Sequence, residues 1–297
     1  LVRIVSLVPH ATELLFALGL GEQVVGVTHE CDHPPAAMDL PAVTRNVLPE
    51  GLSPAEIDAA VRDRTATGDS IYELDEELVR ELEPDLIVTQ ALCHVCAVSA
   101  DEVHALAQSL PGPPRVIALD PTTYGETLGD VRTVAQATDS KDAALDLIAR
   151  TARRADIVRL AVRGAPRPRV AALEWMDPVF VAGHWTPQLI EMAGGEDVAG
   201  FAGEPSRQAT WEEVAAGRPE IVIVMPCGYD AARALVEAEE FAAQLRALGA
   251  DQVVAVNASA YFSRPGPRLA DGLELLAHIL HPDRVPTAPA EALAVDL

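Results

Sequence analysis

Short, unbroken apolar runs recur along this chain, and each is followed by a stretch of helical spacing. Residues 4–8, 24–27, 85–89 and 115–119 are such runs. A strand with one wet face alternates apolar and polar residues; a continuous run predicts burial on both faces, as in a parallel sheet. Parallel neighbours cannot be joined by a hairpin, so a crossover helix must separate them. Residues 12–18, closed by Gly19, supply the first helix. The rhythm returns with strands at 169–173, 220–225 and 252–256 and helices at 188–192, 211–216, 231–248 and 269–280. Gly194 and Gly195 stop the first of these helices, as glycine commonly does. The expected fold class is therefore α/β, with two Rossmann-like lobes, each holding a parallel-rich sheet.

Between the lobes, residues 140–162 carry Leu145, Ile148, Ala152, Ala155 and Val158 on a common helical side. Asp139 or Ser140 would cap the start, and Gly164-Ala165-Pro166 would end it. At ~1.5 Å per residue such a helix is about 35 Å long. One long helix is thus expected to join an N-terminal lobe (1–122) to a C-terminal lobe (167–297) through a linking segment (123–166). A rigid link of this kind permits only small relative movement.

Charge narrows the partners. With 45 acidic against 22 basic residues the net charge is −23, which argues against nucleic acid, because phosphate binding needs a basic face. No apolar segment is long enough to span a bilayer, so no membrane insertion is expected, and a monomer is expected. No basic start, apolar stretch and cleavage site precede the first strand. That, with a CxxC at Cys93 and Cys96, favours a cytoplasmic location; a trimmed signal would place the chain outside the cytoplasm.

Ligands of open α/β sheets collect beyond the carboxyl ends of the strands. The loops there offer Pro9 and His10, then Cys31, Asp32 and His33, then Cys93, His94 and Cys96. In the second lobe they offer Trp175, Phe180, Cys227, Tyr261 and Arg264. Tyr72, Trp175, Phe180, Trp185 and Tyr261 could wall a flat, largely apolar ligand. Six thiol and imidazole groups, His29, Cys31, His33, Cys93, His94 and Cys96, fall in two loops of one lobe. Such groups suit zinc or another transition metal. Four readings stay open: residues lining an organometallic ligand, a metal-ion site, a redox pair of Cys93 and Cys96, or ordinary loop residues. No phosphate-cradling glycine loop, GxGxxG or nucleophile elbow occurs, and the chain is not expected to be an enzyme.

A weak internal repeat aligns residues 77–88 with 212–223 on their prolines, so Glu77 and Glu212 coincide. Taken alone, both are solvated helix carboxylates.

Three segments carry a family resemblance: Ile4-Val5-Ser6-Leu7-Val8-Pro9-His10-Ala11-Thr12-Glu13-Leu14, the stretch from Glu174 to Trp185 with Gln188 to Gly195, and Arg264-Pro265-Gly266-Pro267-Arg268. In this order they resemble the cobalamin- and siderophore-binding proteins of ABC importers, over nearly the whole chain. The resemblance implies two α/β lobes joined by one long helix. It implies that Glu77 and Glu212, one per lobe, dock on arginines of a transporter permease. It sets His33 where a cobalamin binder has a cleft tyrosine, Phe180 on a cleft phenylalanine, and Tyr261 and Arg264 near the corrin side chains. Ser206 stands where a tryptophan is expected and Ala260 where an acid is expected. The implied function is binding of a cobalamin or other corrinoid for import or intracellular handling. A ferric siderophore or haem is an alternative ligand, and a cytosolic zinc-like or redox-active Cys/His protein an alternative role.

Overall fold

The computed structural model describes residues 2–49, 51–52, 54–66, 70–91 and 98–297. The chain divides into two compact units. The first comprises Leu1–Pro121 and Leu128–Leu147, the second Thr122–Thr127 and Ile148–Leu297.

The first unit runs β1 (Ile4–Ser6), α1 (Pro9–Ala17), β2 (Val24–Gly26), β3 (Thr44–Asn46), α2 (Pro54–Ala66), β4 (Tyr72–Leu74), α3 (Glu76–Leu82), β5 (Leu86–Gln90), α4 (Ala100–Ser109) and β6 (Arg115–Leu119). Its main sheet has the order β2-β1-β5-β6 and is parallel throughout. Every residue of β1 and β5 is buried, as the apolar runs require. Val5 and Ile87 pack with Val79 of α3 and with Val103 and Leu106 of α4. Each such side chain contributes roughly 2 kcal/mol on burial, so a slip of register would be costly. Helix α1 starts at Pro9, earlier than residue 12; proline suits the first helical turn because its missing N–H has no intrahelical partner there. Strands β3 and β4 form an antiparallel ribbon that periodicity did not reveal, since the three-residue strands are too short to show a period.

The segment 123–166 contains two helices, α5 (Tyr124–Thr138) and α6 (Lys141–Ala161). Helix α6 matches the expected 140–162 helix to within a residue at each end. Its buried side keeps the expected Ala155 and Val158 but departs from the expected one elsewhere. Ala144, Leu147, Thr151, Ala155, Val158 and Val162 are buried, whereas Leu145 is 65% exposed and Ala152 is exposed. The inward residues keep strict helical spacing; the bulk of Leu145 made the neighbouring stripe look more apolar than it is.

The second unit runs β7 (Arg169–Met176), β8 (Val179–Val181), α7 (Thr186–Met192), β9 (Glu196–Asp197), β10 (Arg207–Gln208), α8 (Trp211–Ala216), β11 (Ile221–Val224), α9 (Ala231–Glu240), α10 (Ala242–Ala247), β12 (Gln252–Ala255), α11 (Ala258–Tyr261), α12 (Leu269–Leu280) and β13 (Leu293–Ala294). The sheet order is β10-β8-β7-β11-β12-β13, with β9 beside β7. Strands β7, β11 and β12 are parallel, and β8, β10 and β13 are antiparallel. Two expectations change here. Strand β7 runs on to Met176 because β8 supplies it with a hairpin partner, so Trp175 and Phe180 are paired strand residues and not loop residues. The helix expected over 231–248 breaks at Phe241 into α9 and α10. Arg154 of α6 binds Glu274 (2.7 Å) and Asp271 (2.5 Å) of α12, tying the two helices together within the unit.

Candidate functional site

In the first unit, the residues beyond the strand ends sort into an interior set and a surface set. His10 is buried in the first turn of α1. Cys31 is also buried: its Sγ lies 3.1 Å from Thr12 Oγ1 and 3.4 Å from Thr28 Oγ1. Thr12 Oγ1 in turn lies 2.8 Å from Ser6 Oγ at the end of β1. Asp32 and His33 are exposed on the same loop. His29 is held differently. Its Nδ1 lies 2.8 Å from Thr44 Oγ1 of β3, and its backbone N–H donates to the same hydroxyl at 3.2 Å. Its ring packs at 5.0 Å from that of Tyr72 on β4. The Tyr72 hydroxyl donates to Glu30 Oε1 at 2.6 Å. Leu7, Pro9, Thr28, His29, Glu30 and Tyr72 thus share one narrow recess at the strand ends. Burial lowers the pKa of His29, and the Glu30 charge opposes that shift, so the ring stays largely neutral near pH 7. Glu30 and Thr44 were missed in the sequence. Glu30 stood among the loop residues, but nothing linear joins it to Tyr72, and Thr44 belongs to the ribbon that periodicity did not reveal.

The expected thiol–imidazole cluster is only partly visible. Cys93, His94 and Cys96 lie outside the described residues. Among the described residues, no group of three or more His, Cys, Asp or Glu side chains is gathered as a metal-ligand set.

In the second unit, Trp175 and Phe180 stand directly opposite each other on β7 and β8. Trp175 meets Tyr229 edge-on at 5.6 Å. The Arg233 guanidinium lies 3.7 Å over the Tyr229 ring and also donates to its hydroxyl at 3.0 Å. Tyr229 sits in the loop after β11, next to the exposed Cys227. Tyr261 ends α11, after β12, and has Arg268 5.9 Å over its ring. Trp185 is buried, and its Nε1–H donates to Phe262 O at 2.7 Å. Arg264 is half-buried beyond the same strand end. Ser206 Oγ accepts from Gly183 N at 3.1 Å, so this hydroxyl serves the backbone where a tryptophan was expected. Tyr229, Arg233 and Arg268 extend the aromatic and cationic set beyond what sequence reading found. Tyr229 lies in the loop before the Asp230 cap of α9, so no helical spacing announced its contact with Arg233.

Glu77 and Glu212 are both exposed in the first turn of a capped helix, after Asp75 in α3 and after Thr210 in α8.

Open α/β sheets commonly take small ligands beyond their strand ends, where this chain carries aromatic rings and arginines. The chain belongs to the periplasmic binding protein family, whose model matches residues 4–260. Members are substrate-binding proteins of transporters and not enzymes. It is 25% identical to a vitamin B12-binding protein of Vibrio cholerae over 292 residues, covering 92% of this chain and 86% of that one. It is 26% identical to a vitamin B12-binding protein of Pectobacterium carotovorum over 273 residues, covering 90% and 84%. The fold matches that of the periplasmic vitamin B12 binding protein of Vibrio cholerae (TM-score 0.66, 23% identity, 94% and 96% covered). It also matches a periplasmic heme-binding protein of Roseiflexus sp. RS-1 (TM-score 0.66, 25% identity, 95% and 98% covered). Both solved structures are of periplasmic proteins, so they lend no support to the cytoplasmic expectation. Among the described residues no helix is long and apolar enough to cross a membrane.

Proposed function

We propose that this chain binds a corrinoid at its strand-end faces, outside the cytoplasm, and delivers it to the permease of an ABC importer. The observation that carries this reading is the near full-length similarity to vitamin B12-binding proteins. The second unit's face supports it chemically. Trp175, Phe180 and Tyr261 offer ring surface for a flat macrocycle, with Tyr229 buried behind Trp175, while Arg233, Arg264 and Arg268 offer donors for its amide-bearing side chains. Glu77 and Glu212 are the docking carboxylates in this reading, and their matched, exposed positions at helix starts favour it.

Titrating the pure protein with cobalamins, haem and a ferric siderophore, followed by calorimetry and absorbance, tests the reading. One-to-one corrinoid binding at or below micromolar concentration is expected. Haem or siderophore binding without corrinoid binding would replace this ligand with another of the same transport class.

A further inference from the structure

Resting on the corrinoid reading, we infer that His29 Nε2 ligates the cobalt of the bound corrinoid, and that the protein therefore selects corrinoids whose upper ligand exchanges readily.

The three described candidates for a metal-directed donor are held in three different ways. Cys31 Sγ is buried between the Thr12 and Thr28 hydroxyls, inside the unit. His33 is exposed and does not line the recess that holds His29. His29 alone is both exposed and fixed. Thr44 Oγ1 lies 2.8 Å from Nδ1, and the His29 backbone N–H reaches the same oxygen at 3.2 Å. A hydroxyl oxygen has two lone pairs, so it can accept from the backbone N–H and from Nδ1–H together. When Nδ1–H donates to this oxygen, which is the tautomer the inference uses, the Nε2 lone pair is bare. A metal-bound imidazole is commonly oriented in this way, through its other nitrogen.

The surroundings favour the same role. Tyr72 packs at 5.0 Å from the imidazole and restricts its rotation. Tyr72 is itself tethered to Glu30 at 2.6 Å. His29 and Glu30 follow the carboxyl end of β2, the side on which open α/β sheets take ligands.

The step is a ligand exchange at Co(III). The bond from cobalt to its bound water breaks, the bond to Nε2 forms, and the water leaves to solvent. Cobalt keeps its oxidation state and no electron is transferred. A corrinoid with a cyanide or carbon ligand at that position has no readily leaving group and would be held by the remaining contacts only.

The experiment compares aquocobalamin with cyanocobalamin in wild-type protein, His29→Ala and His29→Gln, with affinity from calorimetry and ligation from the visible spectrum. Expected are at least tenfold tighter binding of aquocobalamin by the wild type and an imidazole-type spectral shift of that ligand alone. Both variants should lose the shift and the preference while still binding cyanocobalamin, which also reports that they fold. Thr44→Val should weaken the preference without abolishing it. An unshifted spectrum in the wild type, or a shift that survives both His29 variants, would overturn the inference and leave the corrinoid reading standing. Absence of binding to either cobalamin would overturn both.

Discussion

Glu237 is the residue whose chemistry departs furthest from its surroundings. It lies in α9, is 4% exposed, and neither carboxylate oxygen has a hydrogen-bond partner. Arg233, one helical turn before it, is engaged with Tyr229 instead. Burial pushes the Glu237 carboxyl up to about 7; the Arg233 charge opposes this and the Glu240 charge adds to it. The strands packed against α9, which are β11, β12 and β13, bring no titratable side chain. The folded state therefore holds a proton here that the unfolded chain releases near its ordinary value of 4.5. The stabilisation is fully present below that value and is lost as pH rises through about 7. Glu237→Gln should leave stability unchanged near pH 4 and raise it by about 2 kcal/mol at pH 8. Urea denaturation at the two pH values checks this; equal effects at both would show that the carboxyl does not titrate as described.

At the scale of elements, α8 shows how a local sequence signal becomes structure. Thr210 accepts from the Glu213 backbone N–H at 3.2 Å, and the Glu213 carboxylate accepts from the Thr210 N–H at 2.7 Å. This reciprocal cap holds a six-residue helix that would be too short to persist alone. Thr210→Ala should cost about 1 kcal/mol of stability by chemical denaturation, without altering ligand affinity. Helix α6 shows the limit of such reading. Its ends were legible because capping and stop signals are local, but its inward face was legible only at Ala155 and Val158, because burial depends on what packs against it. The break between α9 and α10 at Phe241 and the extension of β7 along β8 have the same origin. Each depends on a partner element that no single window contains.

Over the whole molecule, the net charge of −23 means that exposed carboxylates are plentiful, so position and not charge alone must select any docking pair. Glu77 and Glu212 share a place in two capped helices of different units. Exposed ion pairs contribute at most about 1 kcal/mol each, so their role in docking would be orientation. Glu77→Gln with Glu212→Gln should lower uptake through the cognate importer by roughly tenfold while corrinoid affinity is unchanged. Uptake in reconstituted vesicles beside calorimetry checks this, and a parallel fall in affinity would count against a docking role. The effect should shrink at high salt, where exposed charges are screened.

The sequence by itself determined the architecture: buried apolar runs separated by crossover helices, capped and stopped by local signals, permit little besides α/β units with parallel sheets. It also fixed where the carboxyl end of each strand lies, because chain direction sets it. Only the tertiary structure decided which side chains face that region. It put Cys31 inside, left His33 outside and braced His29 against Thr44. Those outcomes depend on contacts between residues far apart in the chain, such as Glu30 with Tyr72, and the local rules that form strands and helices do not encode them.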